Sequence, residues 1–522
     1  MPLFLCYERS ATTGIPFFSF GPGRGGGRRR RRRVKQARPP SPWMFPFTLS
    51  NTSRSQSQFT VMTASLIKNL RSNVQGARPT RRNARVRMMA AAEPTTTRNG
   101  STPEPEKPLE RIVMVDGETT TSQQHMGLPK TARPGTISVH GGERSGRPKV
   151  KDSLTTPIVQ TATFTFENTA ELIAYQEGRY QSFEYGRYGN PTTMTAEQKI
   201  AEMEVAEDCL ISSSGMYAAT TMLMSLVPPG GHIVTTTDCY RRTRQFIQTF
   251  LPKMGIGATV VDPSDYEGLE EALKKHDVSI YFSESPTNPY LRCIDVPRVS
   301  ELCHEHGALV CIDSTFSTPC NMRPITLGAD LVIHSATKYL AGHNDVLAGC
   351  IAGKTEHIEK VRQFHNVLGG VIDPHASYML IRGMKTLGVR VARQNDNALR
   401  IARFLEAHPK IEKVHYPGLE SHPEHEIAKR QMDGFGGVVS FEVKGGLWDA
   451  AKLIDSVRLP YIAPSLGGVD SLIEQPTVVS YWDQGPEKRA ELGIKDNLIR
   501  FALGIEEYED IEADMAQALD LL

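Results

Sequence analysis

The sequence predicts an α/β protein with a mostly parallel central sheet, helices on both faces of that sheet, and a smaller C-terminal α+β domain. Three observations support this prediction. Short β-rich runs alternate with helical segments between about residues 205 and 385, which is typical of a parallel sheet covered by helices. Turn-forming residues, such as the Pro-Pro-Gly-Gly run at 228–231, separate these segments. After residue 386 a long helical segment precedes a second set of mixed elements.

Each element is predicted from its own apolar pattern. Runs of three to five mostly apolar and β-branched residues indicate buried strands, and they occur at 209–212, 232–236, 259–261, 279–282, 309–313, 331–334 and 348–352. A strand of the C-terminal domain is predicted at 437–443. Helical periodicity predicts helices at 194–203, 217–226 and 390–408.

The composition divides the chain into five regions. We predict a leader at 1–92, a flexible linker at 93–135, an N-terminal arm at 136–204, a central cofactor-binding domain at 205–385 and a C-terminal domain at 386–522.

The leader is strongly basic although the whole chain has a formal net charge of only +2. Residues 1–92 carry 18 lysines and arginines against one acid, Glu8. An arginine-rich, serine-containing and nearly acid-free start is typical of an organelle transit peptide, with a processing region predicted at 86–90. The six-arginine run at 28–33 leaves nucleic-acid binding or a nuclear signal as a weaker alternative. No clean apolar core follows a short basic start, so a secretory signal fits poorly.

Two further classes are disfavoured by composition. No apolar stretch approaches the roughly 20 residues of a membrane-spanning helix, so we expect no membrane partner. The eight cysteines form no CxxC pair and most lie in apolar runs, which indicates buried, reduced thiols. His422 and His425 stand at HxxH spacing, but the surrounding Ser-x-Pro-Glu pattern is typical of a helix start, so no metal site is predicted.

Lys338 and Asp313 follow two predicted strands and together suggest a cofactor. Lys338 comes shortly after the strand 331–334, beside two hydroxyl side chains, and partial burial would favour the neutral amine that an aldehyde requires. A lysine after a strand is more often solvated when taken alone. Asp313 ends the apolar strand 309–313, at the edge where open α/β sheets bind ligands. A carboxylate there can bind a protonated pyridine nitrogen while the lysine binds an aldehyde, which predicts a pyridoxal phosphate site.

A phosphate-binding turn is predicted at residues 212–216. Three serines, Gly215 and Met216 precede a helical segment, whose free N–H groups and dipole favour an anion. A serine before a helix is more often a simple N-cap, so this turn supports a phosphate site only in combination with the other residues.

Three more side chains could complete the site, each with an ordinary alternative. Tyr240 follows a strand and could stack on a pyridine ring, or it could be a core tyrosine. Asn288 lies in a turn and could donate to the phenolic oxygen of the cofactor, or it could simply favour the turn. Arg500 lies between apolar neighbours and needs an anion, which is either a substrate carboxylate or a structural ion-pair partner.

Five motifs occur in order, and with them residues 136–522 resemble the Cys/Met-metabolism family of pyridoxal phosphate enzymes, and within it the plant-type γ-synthases. The motifs are Phe-Glu-Tyr-Gly-Arg-Tyr-Gly-Asn-Pro-Thr from 183, Thr-Thr-Asp-Cys-Tyr from 236, Glu-Ser-Pro-Thr-Asn-Pro from 284, His-Ser-Ala-Thr-Lys-Tyr from 334 and Ser-Leu-Gly-Gly-Val from 465. The resemblance implies the aspartate aminotransferase-like fold, fold type I.

The resemblance also implies a role for each site residue. Lys338 would be the catalytic Schiff-base lysine, Asp313 the partner of the pyridinium, and Tyr240 the stacked, catalytic tyrosine. The implied phosphate ligands are Gly215, Met216, Ser335 and Thr337.

Other implied roles concern the substrate and the neighbouring subunit. Ser465 and Arg500 match the ligands of the substrate carboxylate. Tyr185 and Arg187 match the arm that completes the phosphate site of a neighbouring subunit. A homodimer would then be the smallest active unit, and a homotetramer is expected.

The family chemistry implies a γ-replacement that joins L-cysteine to an activated homoserine and yields L-cystathionine, on the transsulfuration route to methionine. A homoserine-ester sulfhydrylase and a cystathionine or methionine γ-lyase are the alternatives on the same scaffold. Arg242 stands where the methionine-degrading lyases carry cysteine, and its cation could bind a second phosphate, which favours O-phosphohomoserine as substrate. Asp470 stands where members commonly carry glutamate, which leaves the reaction specificity open. We expect the chloroplast stroma, with the mitochondrion as alternative, and no nucleic-acid partner.

Overall fold

The structure is a computed structural model that describes residues 131–143 and 153–522. The predicted transit peptide, its processing region and most of the predicted linker lie outside these residues. Before the first sheet the described residues form three helices, which are α1 (Pro134–His140), α2 (Thr169–Gln176) and α3 (Pro191–Glu204). The helix predicted at 194–203 therefore begins three residues earlier, because Asn190 caps it and Pro191 occupies its first turn.

Seven strands form the first sheet, and helices connect most of them. The elements are β1 (Asp208–Ser212), α4 (Gly215–Leu226), β2 (His232–Thr236), α5 (Arg241–Gln245), β3 (Gly257–Val261), α6 (Tyr266–Lys275), β4 (Val278–Glu284), α7 (Val296–Glu305), β5 (Leu309–Asp313), α8 (Thr318–Asn321), β6 (Leu331–His334), β7 (Gly349–Gly353), α9 (Thr355–Leu368) and α10 (Pro374–Met384). A π-helical turn (Phe246–Phe250) and a 3₁₀ turn (Leu251–Met254) extend α5.

The prediction of a mostly parallel sheet with helices on both faces is confirmed. The strand order is β1-β7-β6-β5-β4-β2-β3, and the four pairings among β2 to β6 are parallel. Only β7 runs against its neighbours, β1 and β6. Each predicted strand matches an observed one to within two residues at either end.

Alternate side chains of the central strands pack against helices on opposite faces of the sheet. Val310 and Ile312 belong to a core cluster with Leu269 of α6 and Val299 of α7. Cys311, between them in sequence, belongs to another cluster with Met222 of α4. Both faces are therefore covered, which is why these strands are continuous apolar runs.

A second, five-stranded sheet follows. Its elements are α11 (Leu387–Glu406), β8 (Ile411–His415), α12 (His425–Gln431), β9 (Val438–Val443), α13 (Leu447–Ser456), β10 (Tyr461–Ile462), β11 (Leu472–Glu474), α14 (Pro476–Val479), α15 (Gly485–Glu491), β12 (Leu498–Ala502) and α16 (Tyr508–Asp520). The strand order is β10-β11-β12-β9-β8, and only β10 with β11 is parallel. The helix predicted at 390–408 and the strand predicted at 437–443 correspond to α11 and β9. The boundaries proposed between domains stay a prediction.

Two general features concern the described residues as a whole. None of the helices in the described part is long and apolar enough to cross a membrane. The cysteines that the structure describes are free thiols, buried in each case except the half-buried Cys320.

The parallel strands β4, β5 and β6 end at one edge of the first sheet, with Glu284 opposite Asp313 and Asp313 opposite Ile333. This edge carries the polar residues described next.

Candidate active site

Lys338 lies in the turn that follows β6, and its amine points toward the C-terminal sheet. Its Nζ donates a hydrogen bond of 2.8 Å to Ser465 Oγ. Burial and, next, the nearby Arg500 charge lower the pKa of Lys338 to about 8, although Glu474 acts in the opposite direction. At pH 7 roughly a tenth of the amine is therefore uncharged, far more than for an ordinary lysine, and this is the form that binds an aldehyde.

Arg500 is buried on β12 and connects several predicted site residues. One of its Nη atoms donates to Asn288 Oδ1 at 3.1 Å, and the other donates to the Ser465 carbonyl at 3.2 Å. The second Nη also lies 2.7 Å from Glu474 Oε1 on the adjacent strand. The structure therefore brings Lys338, Ser465, Asn288 and Arg500 together.

Glu474 was missed by the sequence analysis. Its carboxylate is buried beside Arg500, and its Oε2 has no hydrogen-bond partner in the described structure. The signal was indirect, because a buried arginine between apolar neighbours requires an anion, but only strand pairing shows which acid supplies it. The ion pair holds the guanidinium at the site before any substrate carboxylate arrives.

A cavity of about 190 Å³ opens beside this cluster. Tyr240, Arg242, Asn288 and Arg500 line it together with Glu474. The Tyr240 side chain is 43% exposed, and Arg242 makes one hydrogen bond, of 2.9 Å, to Gln245 Oε1 on its own helix. Three arginines line the cavity: Arg500 is buried, Arg242 is exposed, and Arg241 is ion-paired with Asp483.

Asp313 ends β5 and is held by Thr315. Its Oδ1 accepts hydrogen bonds from the Thr315 backbone N–H, at 3.0 Å, and from the Thr315 hydroxyl, at 2.5 Å. Burial raises the pKa of Asp313, while these hydrogen bonds and the charge of His334 lower it. Both bonds use Oδ1, so Oδ2 is left for another donor. The Thr315 hydroxyl also accepts the Ser335 N–H at 2.8 Å, which links Asp313 to a predicted phosphate ligand.

The predicted phosphate turn forms the N-terminus of α4. Ser214 is its N-cap and accepts the Tyr217 N–H at 3.1 Å, while the Ala218 N–H makes the first intrahelical bond. The N–H groups of Gly215 and Met216 precede that bond and are available to an anion. A Cβ added at Gly215 would lie 2.9 Å from the Ser335 Cβ, so the turn and Ser335 enclose a small space.

The hydroxyl of Thr337 is less available to a phosphate than the N–H groups of Gly215 and Met216. Its hydroxyl donates to the Ala348 carbonyl at 3.1 Å and accepts the Ala348 N–H at 2.9 Å. It must release the carbonyl of Ala348 before it can donate to a phosphate, so its role as a ligand stays a prediction.

Tyr185 and Arg187 lie apart from the cavity. Arg187 donates to the Asn366 carbonyl, and its guanidinium lies 4.7 Å from the ring centroid of Tyr188 and 5.4 Å from that of Tyr185. Tyr185 is 42% exposed. Their role in a neighbouring subunit stays a prediction.

His422 and His425 are bonded to nearby backbone. His422 Nδ1 accepts the Glu424 N–H at 3.3 Å, and His425 Nδ1 lies 2.8 Å from the Pro417 carbonyl. Within residues 131–143 and 153–522 no group of three or more His, Cys, Asp or Glu side chains is arranged to bind a metal.

Comparison with known proteins identifies the family. Residues 135–520 match the family described as Cys/Met metabolism PLP-dependent enzyme. The chain belongs to this family. Its cofactor is pyridoxal phosphate, and the residues present fit that group: an amine with a lowered pKa at Lys338, a carboxylate with a free oxygen at Asp313, and an anion-binding helix end closed by Ser335.

Two relatives and one solved structure are similar over most of the chain. Cystathionine gamma-synthase 1, chloroplastic, of Nicotiana tabacum is 56% identical over 79% of this chain and 78% of its own length. The protein of the same name from Arabidopsis thaliana is 58% identical over 74% of this chain and 69% of its own. The crystal structure of metB from Corynebacterium glutamicum superimposes with a TM-score of 0.70 at 36% identity, over 76% of this chain and all of that one. The fold class predicted from the sequence, fold type I, is thereby confirmed.

Proposed function

We propose that the protein is a cystathionine γ-synthase that joins L-cysteine to O-phospho-L-homoserine, releasing phosphate and forming L-cystathionine for methionine biosynthesis by transsulfuration. The two relatives above, 56% and 58% identical, support the reaction. The observation that carries the choice of substrate is the presence of Arg500 and Arg242 in one cavity, with Ser465 connecting Arg500 to Lys338. The third arginine of this cavity, Arg241, is already paired with Asp483. O-Phosphohomoserine bears one carboxylate and one phosphate, so each cation has an anion to bind.

Arg500 is suited to the α-carboxylate. It is only 6% exposed, and Glu474, Asn288 and Ser465 fix its orientation. A guanidinium held in one position binds a carboxylate through two parallel hydrogen bonds at a low entropic cost. Ser465, which holds Lys338 by its hydroxyl and Arg500 by its carbonyl, keeps the amine and the guanidinium at a constant separation.

Arg242 is suited to the phosphate of the leaving group. Its side chain is exposed at the cavity wall, and among the described residues only the neutral Gln245 engages it. Exchange of that contact for a phosphate replaces a hydrogen bond to an uncharged amide oxygen with an ion pair between opposite charges. O-Acetylhomoserine offers no such charge at this position.

Lys338 is the proton carrier. Bound pyridoxal phosphate supplies an electron sink that makes the C–H bonds near the amino group of the substrate acidic. Because its pKa is about 8, the Lys338 amine can take a proton and return it near neutral pH, which is the property required of a general acid–base group. Ser465 Oγ, 2.8 Å away, limits the directions in which the amine can turn.

The other predicted residues bind the cofactor. Asp313 Oδ2 would accept a hydrogen bond from the protonated ring nitrogen, and Tyr240 would stack on the ring. Asn288 would donate to the phenolic oxygen, while the N–H groups at the start of α4, with Ser335 and Thr337, would hold the phosphate.

Assembly and location belong to the same proposal. Tyr185 and Arg187 would complete the phosphate site of a neighbouring subunit, which makes the active form a homodimer or homotetramer. The basic, acid-poor leader and the chloroplastic relatives support import into the chloroplast.

A product assay tests the proposal. The purified full chain loaded with cofactor is mixed with O-phospho-L-homoserine and either L-cysteine, sulfide or no nucleophile. We expect cystathionine and inorganic phosphate in equal amounts with cysteine, at least tenfold faster than homocysteine with sulfide. Faster homocysteine formation would identify a sulfhydrylase, and rapid release of a 2-oxo acid without nucleophile would identify a lyase; either result overturns the proposal.

A further inference from the structure

Two buried carboxyl groups lie side by side at the edge of the first sheet. Glu284 ends β4 and Asp313 ends β5, and the parallel register places them opposite one another. Phe282 and Cys311, two residues earlier on each strand, are also opposite and share one core cluster. Because side chains alternate along a strand, Glu284 and Asp313 project from the same face as that pair. Glu284 is 5% exposed.

Two such neighbours cannot both carry a negative charge at low cost. Asp313 is the better stabilised anion, since two hydrogen bonds from Thr315 and the charge of His334 favour its ionised form. Burial and then the charge of Asp313 raise the pKa of Glu284 well above its usual range. The pair therefore keeps one proton, and that proton resides on Glu284.

The other groups that face Glu284 belong to the segment after β2. Asp238 opposes its ionisation, and Arg244 favours it more weakly. The peptide N–H of Tyr240 donates to Glu284 Oε1. A carbonyl oxygen of an uncharged carboxyl accepts this bond as a carboxylate would, so the contact does not require ionisation.

This contact ties the backbone of Tyr240 to the end of β4. Tyr240 is the N-cap residue of α5, and no side chain caps that helix. Its own side chain is 43% exposed in the cavity, so few packing contacts hold the ring. The hydrogen bond from the Tyr240 N–H to Glu284 therefore holds the backbone from which the ring projects, together with the Arg244 N–H that donates to the Tyr240 carbonyl.

We propose that Glu284 is a positioning residue of the cofactor site: as the uncharged acid, it fixes the backbone of Tyr240 and leaves Asp313 as the single negative charge at this edge of the sheet. The inference deepens the proposed function, because it takes Tyr240 and Asp313 as contacts of the cofactor. Glu284 does not itself contact the cofactor in this proposal; it acts through Tyr240 and Asp313.

Two substitutions separate the roles of shape and charge. Glu284→Gln keeps a neutral acceptor of the same length, whereas Glu284→Leu removes the acceptor. In the holoenzyme we expect Gln to keep kcat within about twofold and to leave the visible circular dichroism of the bound cofactor unchanged. Leu should lower kcat at least tenfold with KM changed less than threefold, and should weaken the visible circular dichroism because the ring is no longer held at one angle. Glu301→Gln, at an exposed position on α7, is the matched control.

A measurement on the cofactor-free full chain makes the inference independent of activity. The infrared difference between wild type and Glu284→Gln at pH 7 should contain the carbonyl band of a protonated carboxyl group, and it should lack a carboxylate band. A carboxylate band instead, or a Gln variant as impaired as Leu, would overturn the inference. If the carboxyl band is present while no cystathionine forms, the inference stands and the proposed function fails. If the Leu variant does not fold, the infrared comparison still decides the inference, because it uses only the wild type and the isosteric Gln variant.

Discussion

Lys338 Nζ donates to Ser465 Oγ over 2.8 Å, and the carbonyl of the same serine accepts from Arg500. One residue of the C-terminal region therefore holds both the amine proposed to carry protons and the guanidinium proposed to bind the substrate carboxylate. The two partners of Ser465 come from different sheets, so its position couples the two parts of the site.

The lowered pKa of Lys338 predicts how cofactor uptake depends on pH. Burial and the Arg500 charge bring the pKa from 10.5 to about 8, so the fraction of uncharged amine rises as pH rises through 8. The rate constant for loading the cofactor-free protein with pyridoxal phosphate should increase between pH 6.5 and 8.5 and level off above that range. A rate that keeps rising toward pH 10.5 would mean that the lysine is an ordinary, solvated one.

Arg500→Gln should shift that profile to higher pH. Arg500 disfavours the protonated lysine, and its loss also leaves Glu474 unneutralised, so both changes raise the pKa of Lys338. The midpoint of cofactor loading should move upward by roughly one pH unit, which corresponds to about 1.4 kcal/mol. Arg298→Gln, at an exposed arginine over the Tyr266 ring, is the control and should leave the midpoint in place.

Arg242→Ala tests the proposed phosphate subsite. Loss of one charge-assisted contact, worth about 1.5 to 3 kcal/mol, should lower kcat/KM for O-phosphohomoserine by 10- to 100-fold. The value for O-acetylhomoserine should change less than threefold, since its acyl group is uncharged. Steady-state kinetics with both substrates gives the ratio, and an equal loss for both would remove the argument for a phosphate at this position.

Gly215→Ala should weaken cofactor binding although alanine favours a helix. At an exposed helical position the change would stabilise the protein by about 1 kcal/mol. Here the new Cβ would lie 2.9 Å from the Ser335 Cβ, which must move out of the phosphate turn. We expect at least a tenfold higher Kd for pyridoxal phosphate in equilibrium dialysis. Gly446→Ala, where no atom lies within 4 Å of the added Cβ, should leave the Kd unchanged.

The buried pair His334 and Glu204 predicts a pH dependence of stability. Their side chains are 1% and 0% exposed, with 2.5 Å between Nε2 and Oε1. Although burial opposes protonation, the charge of Glu204 raises the pKa of His334 to about 9, from 6.5. A pKa raised by folding gives stability that is complete below pH 6.5 and is lost as pH rises through 9.

The size of that loss should be on the order of 3 kcal/mol. The melting temperature of the wild type should therefore fall between pH 6.5 and 9. Glu204→Gln should be less stable at pH 6.5 and should show a flatter dependence over the same interval. A wild-type melting temperature that is constant across the interval would contradict an ionised pair.

The sequence predicted the strands of the first sheet well because buried parallel strands are continuous apolar runs. It did not predict the direction of β7, since an apolar run has the same appearance in either direction. What decides the direction is the connection from β6, residues 335–348, which carries site residues and no crossover helix.

The site was predicted where a residue follows a strand end in its own sequence, as Lys338, Asp313 and Asn288 do. Glu284 and Glu474 were missed because their partners are distant in sequence. Glu284 meets Asp313 only through the β4–β5 register, and Glu474 meets Arg500 only through the β11–β12 register. A single sequence does not contain strand pairing, and pairing is what turns these ordinary glutamates into members of a site.

The late position of β7 has a consequence for biosynthesis. This strand inserts between β1, the earliest strand of the sheet, and β6. In a nascent chain that has left the ribosome only to residue 348, the edges of β1 and β6 that will later contact β7 are therefore unpaired, and unpaired edges are templates for aggregation. Once Gly349–Gly353 has emerged, β7 can pair with both edges. Until that moment the incomplete sheet can pair with strands of other chains.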